Sequence, residues 1–256
     1  MLKRSIQFIT DSHPGLPALD TSISRVILDK VSQESMPETL RIYTPPEVVA
    51  FGPLDTISLG YQASVLEARR KGFDAIRRLA GGRAAVFHRG TIAFSWTIPD
   101  ADPRTNVDSR FNDASIILLS ALRQLGVEAR IGQVPGEYCP GRFSINARGK
   151  KKIMGVGQRL VSRATHLGGV IVLANSDRIR DVLTPVYRAL ELNWDPDTVG
   201  SIEDELGSTT YEEAQDAITE AFEVFFKLKP TRLAGNVIEE AQLIQHQFII
   251  IPNTIN

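Results

Sequence analysis

The sequence predicts an α+β domain, a mixed sheet with helical cover. Strand-like runs separated by Gly and Pro fill the chain up to Asn175, helical stripes are inserted between them, and the chain turns helical beyond Ser176. With 256 residues, 43% hydrophobic and 23% charged, it is excluded from being disordered throughout and is long enough to bury a core without metals or disulfides. The net charge of −1 argues against bulk nucleic-acid binding. No apolar run approaches the ~18 residues of a membrane helix, so no membrane partner is expected. The start, Met1 to Gln7, lacks the apolar core of a signal peptide. A single cysteine forms no internal disulfide and fits a reducing compartment. A cytoplasmic globular protein is expected.

The elements follow in order. Residues 1–35 read as a peripheral N-terminal helix, with Asp20 as its cap and Ile23, Val26, Ile27 and Val31 on one face. Strands at Leu40–Tyr43 and Glu47–Phe51 flank a Thr-Pro-Pro break. A helix over Leu59–Lys71 stops at Gly72. Ala75–Leu79 is strand-like, and Ala84–His88 and Thr91–Thr97 read as paired runs. Phe111, Ala114, Leu118, Ala121, Leu122 and Leu125 form the clearest helical stripe, ended by Gly126. Glu128–Gly132 is a strand and Gln133–Gly141 a loop. Arg142–Ala147 and Lys151–Val156 make a hairpin about Arg148-Gly149, and another strand centres on Val170–Leu173. Pro185 predicts a kink or two short helices between Asp177 and Leu192. Thr209 with Glu212 suggests a capping box for a helix running to Leu228, and a last helix spans about Val237–Gln245. The expected organisation is the 1–35 helix, a catalytic domain over 36–195, and a helical extension over 196–256 packed on the same domain.

Three places carry chemistry. Cys139 lies in Glu137-Tyr138-Cys139-Pro140-Gly141, a turn-rich loop, although a lone cysteine is commonly just a small buried hydrophobe. A thiol there needs a nearby cation to become a thiolate. The cluster Arg148-Gly149-Lys150-Lys151-Lys152 reads plainly as a solvated hairpin tip. Strand alternation nevertheless turns one lysine of Lys151 and Lys152 toward the apolar face, and which one is open. Arg77, Arg78, Gly81, Gly82, Arg83 and His88 surround a Gly-Gly turn. It reads either as a simple turn or as a site where a ligand approaches backbone amides and the arginines bind carboxylate or phosphate through paired donors. It is not a Walker loop. The scattered histidines show no metal-ligand spacing, so no metal is expected.

Arg77-Arg78-x-x-Gly81-Gly82-Arg83-Ala84-x-Val86-x-His88 resembles the first signature of the biotin/lipoate protein ligase family. Lys152-Ile153-x-Gly155-x-x-Gln158-Arg159 resembles its second. The resemblance covers about residues 38–190 and implies a central mixed, mostly antiparallel sheet flanked by helices. Tyr138-Cys139-Pro140-Gly141 ahead of the lysine resembles the octanoyl amidotransferase branch. That branch implies an acyl-thioester on Cys139, with Lys152 contacting the acyl carbonyl or the acceptor. It also implies substrate binding by Arg77, Arg78, Gly81, Gly82, Arg83, His88, Gly155 and Gln158. Arg83 and Arg89 depart from the family pattern.

The implied activity is transfer of an octanoyl or lipoyl group to a lysine of a lipoyl-domain protein. Implied partners are the glycine-cleavage H protein and 2-oxoacid dehydrogenase acyltransferase subunits, or an acyl-carrier protein as donor, and no cofactor is required. Two alternatives stand beside it. One is an ATP- and Mg-dependent lipoate ligase working through lipoyl-adenylate, for which the stretch after Gly200 looks short. The other is a non-catalytic acyl-carrier-binding homologue. Val86, Phe94 and Trp96 are expected walls of an apolar acyl pocket. The transferase expectation is also geometric. Cys139 and Lys152 should lie in hydrogen-bond range or one rotamer apart, on a pocket rimmed by the Arg78–Arg83 turn, with Lys150 and Lys151 in water. Lys152 falls opposite about Ile145, so the Cys139 loop must fold back over the hairpin.

Overall fold

The computed structural model describes residues 3–252. Its strands are β1 (Arg4–Ile9), β2 (Thr39–Tyr43), β3 (Val48–Phe51), β4 (Asp74–Arg77), β5 (Ala85–Phe87), β6 (Thr91–Pro99), β7 (Ala129–Ile131), β8 (Ile145–Ala147), β9 (Lys151–Leu160), β10 (Ala164–Val172) and β11 (Phe226–Pro230). Its helices are α1 (Leu19–Ser32), α2 (Tyr61–Arg70), α3 (Val107–Gln124), α4 (Ser176–Ala189), α5 (Ile202–Leu206), α6 (Tyr211–Glu223) and α7 (Gly235–Ile244).

Two sheets result, one of eight strands in the order β11-β1-β2-β6-β10-β9-β8-β7, the other of three in the order β4-β3-β5. The large sheet is parallel from β11 to β2 and antiparallel from there onward. Apolar stripes of α3 and α6 cover one face, packing Leu118, Leu122, Ile218 and Phe222 on Phe94, Trp96 and Leu167. α2 and α4 cover the small sheet through Val65, Ala68, Val182 and Val186. α1 and α7 form a third layer beside β10. Gly126 ends α3 at φ +102, as the stripe predicts.

Several sequence expectations are corrected. β1 and β11 were not foreseen. The sheet draws a strand from residues 1–35 and another from 196–256, so neither segment is purely helical. Phe226 and Leu228 face inward while Lys227 and Lys229 face out, a two-residue alternation that ends the helix expected to reach Leu228. β5 pairs with β3 rather than β6, which lies in the other sheet. α4 runs unbroken through Pro185, because the buried row of Val182, Leu183, Val186 and Tyr187 offsets a helix penalty of about 3 kcal/mol. The capping box is one residue later than read: Thr210 Oγ1 accepts from Glu213 N at 3.1 Å, and Glu213 Oε2 accepts from Thr210 N at 2.8 Å. Asp20 does not cap α1; it is buried on Arg41 at 2.7 Å and His13 at 3.1 Å.

Candidate active site

The β7–β8 connection folds back over β9, as the cysteine–lysine pairing requires. Glu137 organises it. Its Oε2 accepts from Val134 N at 2.8 Å, while Oε1 accepts from Gly141 N at 3.1 Å and Ser144 Oγ at 2.9 Å. A bulge between Ile145 and Asn146 places Asn146, not Ile145, opposite Lys152. Lys152 therefore points inward from β9 and is only 2% exposed. Its ammonium donates to Glu137 Oε1 at 2.9 Å, Tyr138 O at 3.0 Å and Cys139 O at 2.8 Å, and lies 4.8 Å from the Tyr138 ring centroid. Lys150 is exposed. Lys151 is half-buried with its ammonium on the Asp197 carbonyl, so it is less solvated than expected.

Cys139 takes a left-handed backbone at φ +42, unusual for a residue with a side chain. Tyr187 of α4 holds it there: its hydroxyl accepts from Cys139 N at 2.9 Å and donates to Ala84 O at 3.0 Å. The sulfur accepts from Arg83 N at 3.2 Å and sits 3.5 Å from the Arg78 guanidinium. Burial pushes the thiol up, but Arg78, Lys152 and the Arg83 amide outweigh it, so the thiol lies below its ordinary value. The lysine meets the cysteine at its backbone carbonyl and not, as expected, at its sulfur, whose hydrogen-bond partners are Arg83 N and Arg78.

Gly82 makes this seat possible. Its φ is +111, and a Cβ built on it would stand 2.9 Å from the sulfur and 2.8 Å from Arg78 Nη1. Gly157 lies against the same turn from β9, where a Cβ would stand 3.0 Å from Ala80 Cβ and 3.1 Å from Gly81 O, so a larger residue there would push on the turn. Cys139, Lys152, Arg78, Gly81, Gly82, Gly155 and Gln158 all border one cavity of about 340 Å³. Gln158 is oriented by Arg110, whose Nη2 donates to its Oε1 at 3.0 Å. A second, smaller cavity of about 70 Å³ lies between the sheets and shares Arg78, Phe87 and Gly169 with the first.

Three expected site residues do not reach these cavities with their side chains. Arg77 lies on β4 beside Ile76 and alternation turns it outward, where Nη1 donates to Gln247 O at 3.4 Å. Arg83 contributes its backbone; its guanidinium turns to Leu54 O at 2.9 Å and Asp55 Oδ1 at 3.4 Å. His88 is buried in the turn between β5 and β6, with Nδ1 accepting from Gly90 N at 3.0 Å. Burial, then Arg178, lowers its pKa to about 4, so it is neutral. Of the expected walls, Phe94 borders the smaller cavity, while Val86 and Trp96 sit in packed cores. Two participants escaped the sequence reading. Glu137 stood in the quoted loop with nothing to mark it, and Tyr187 carries no local signal.

The lipoyl protein ligase A/B catalytic domain model matches residues 17–223. The chain belongs to this family. Among relatives, it is 26% identical over 168 residues to the octanoyl-GcvH:protein N-octanoyltransferase of Geobacillus kaustophilus, a match covering 64% of this chain and 57% of that protein. It is 21% identical over 218 residues to the lipoyl-GcvH:protein N-lipoyltransferase of Listeria monocytogenes, covering 80% of this chain and 78% of that one. Among solved structures, a lipoate protein ligase candidate from T. acidophilum with bound lipoic acid superposes with a TM-score of 0.76 at 18% identity, covering 96% of each chain. That likeness establishes the fold, a mixed sheet flanked by helices. Among the described residues no helix is long and apolar enough to cross a membrane.

Proposed function

We propose that this protein is an acyltransferase of protein lipoylation. It moves an octanoyl or lipoyl group, through a thioester on Cys139, to a lysine of a lipoyl-domain protein. The observation that carries this is the seat of the sulfur, which faces an amide N–H and a guanidinium inside a cavity. A merely structural cysteine has no need of such partners. The octanoyl- and lipoyl-transferase names of the relatives support the same reading.

In the first half-reaction the Cys139 thiolate attacks the acyl carbonyl of the donor, the donor's C–N or C–S bond breaks, and the leaving amine or thiol takes up the proton that the Cys139 thiol gave up. In the second, the acceptor lysine amine attacks the thioester, the C–S bond breaks, and the amine's proton passes toward the departing sulfur. The Arg83 N–H and Arg78 stabilise the thiolate in this scheme and then the negative charge that develops on the tetrahedral oxygen. The smaller cavity between the sheets receives the acyl tail. Arg78, Gly81, Gly82, Gly155 and Gln158 line the reaction chamber, and no nucleotide enters the scheme. Donor and acceptor are drawn from the glycine-cleavage H protein, 2-oxoacid dehydrogenase acyltransferase subunits and acyl-carrier protein, in the cytoplasm. The segment 196–256 serves as an extension of the same catalytic domain.

A donor screen tests the reading. Octanoylated H protein, octanoyl-acyl-carrier protein, and free lipoate with ATP and Mg are each offered with an unmodified lipoyl domain. Transfer from an acylated carrier without ATP is expected. Acylation only from lipoate plus ATP, with lipoate-dependent pyrophosphate exchange, would establish the ligase scheme instead.

A further inference from the structure

An ammonium has three N–H donors, and all those of Lys152 are committed: to the Glu137 carboxylate, the Tyr138 carbonyl and the Cys139 carbonyl. Saturated in this way, it has no donor left for an acyl carbonyl and no lone pair for a proton. Of the three acceptors only Glu137 is charged, and its side chain is wholly buried. The same oxygen also takes Gly141 N and Ser144 Oγ, on the far side of the cysteine. The backbone that Lys152 grips is the one held at φ +42.

We infer that Glu137 is a positioning residue, which pins Lys152 to the cysteine loop as a fixed countercation of the thiolate rather than a mobile proton carrier. This deepens the transferase reading and rests on it only in taking Cys139 as the nucleophile. Loss of a buried carboxylate partner leaves an uncompensated buried cation, which withdraws toward water or gives up its proton. Either way the sulfur loses a positive neighbour.

The charged and titratable groups facing Cys139 come from every side. They are Arg78 from the glycine turn, where Arg83 adds only its amide, Lys152 from β9, and Glu137 and Tyr138 from its own loop. Tyr187 from α4 adds its phenol, while Asp55 is paired with the Arg83 guanidinium. Among them Glu137 has two opposed effects on the thiol. Its own charge repels the thiolate, while its hold on Lys152 supplies a cation. Removing Glu137 therefore discriminates between the two.

The test is the pH profile of Cys139 alkylation by iodoacetamide, which reads the thiolate without any acyl donor. It is run on the parent, Glu137→Gln, Lys152→Met and the double variant, each confirmed as folded by its thermal transition. The positioning role predicts that Glu137→Gln raises the midpoint by about one pH unit when Lys152 is present. Once Lys152 is Met, the same change lowers the midpoint. A shift downward in both backgrounds, or no shift in either, overturns the inference. Should Glu137→Gln fail to fold, Glu137→Asp keeps the charge one methylene short. It should then raise the midpoint by less than Lys152→Met does, and an unchanged or lowered midpoint overturns the inference again. If the alkylation pattern holds while no acyl adduct forms from any carrier, the transfer reading falls and the role of Glu137 stands.

Discussion

The Cys139 sulfur accepts a hydrogen bond from the backbone N–H of Arg83 at 3.2 Å, across fifty-six positions of sequence. The glycine turn after β4 and the loop after β7 have no shared strand, yet each completes the other. Gly82 bares the amide, and Tyr187 and Lys152 hold the cysteine against it. A backbone donor cannot be titrated or rotated away, so the arrangement is preorganised for negative charge on sulfur.

Arg78 supplies the cation nearest the sulfur, 3.5 Å away. Arg78→Met should raise the midpoint of Cys139 alkylation by about one pH unit, the ordinary effect of losing an adjacent opposite charge. At neutral pH the thiolate fraction and the transfer rate fall together. An unchanged alkylation profile would show that the guanidinium does not act on the thiol.

Gly82→Ala should be more damaging than its size suggests. Its Cβ would stand 2.9 Å from the sulfur at a φ of +111. The expected loss is about 1 kcal/mol of stability from the backbone. Displacement of the reacting sulfur should cost transfer about 10²-fold. Denaturant melts and initial rates measure the two separately, and a parent-like rate would mean that the turn does not seat the cysteine.

Two buried histidines give the fold an acid-side weakness. Burial, then Arg178, lowers His88 to about 4. Burial, then Arg41, lowers His166 to about 3. An unfolded histidine titrates near 6.5. Below about that pH the unfolded chain takes up protons that the native state refuses, so their contribution is fully present above 6.5 and is lost as pH falls toward the folded values. Urea-unfolding free energy should therefore drop between pH 7 and pH 4, and His88→Gln with His166→Gln should flatten that slope. An equal slope in parent and variant would contradict it.

What the sequence disclosed follows how local each signal is. The α3 stripe and Gly126 were legible because a helix satisfies its own backbone. Arg78, Gly82, Lys152, Gly155 and Gln158 were legible through two signatures and Cys139 through its Tyr-Cys-Pro-Gly loop, and they meet at one cavity. Arg77 and His88 belong to the same signature but serve the strand and turn that carry it. β1 escaped because its pairing partners, β2 and β11, lie far along the chain. Pro185 misled because packing of α4, not propensity, decides that helix. Glu137 and Tyr187 escaped because their importance lies wholly in distant partners.

The central claim is a covalent acyl-enzyme on Cys139, and intact-protein mass spectrometry tests it most directly. The protein is mixed with octanoylated H protein, quenched in acid and digested. The account predicts an octanoyl adduct confined to the peptide bearing Cys139, discharged on adding unmodified lipoyl domain and absent in Cys139→Ser. Absence of any adduct, together with undiminished transfer by Cys139→Ser, would contradict it.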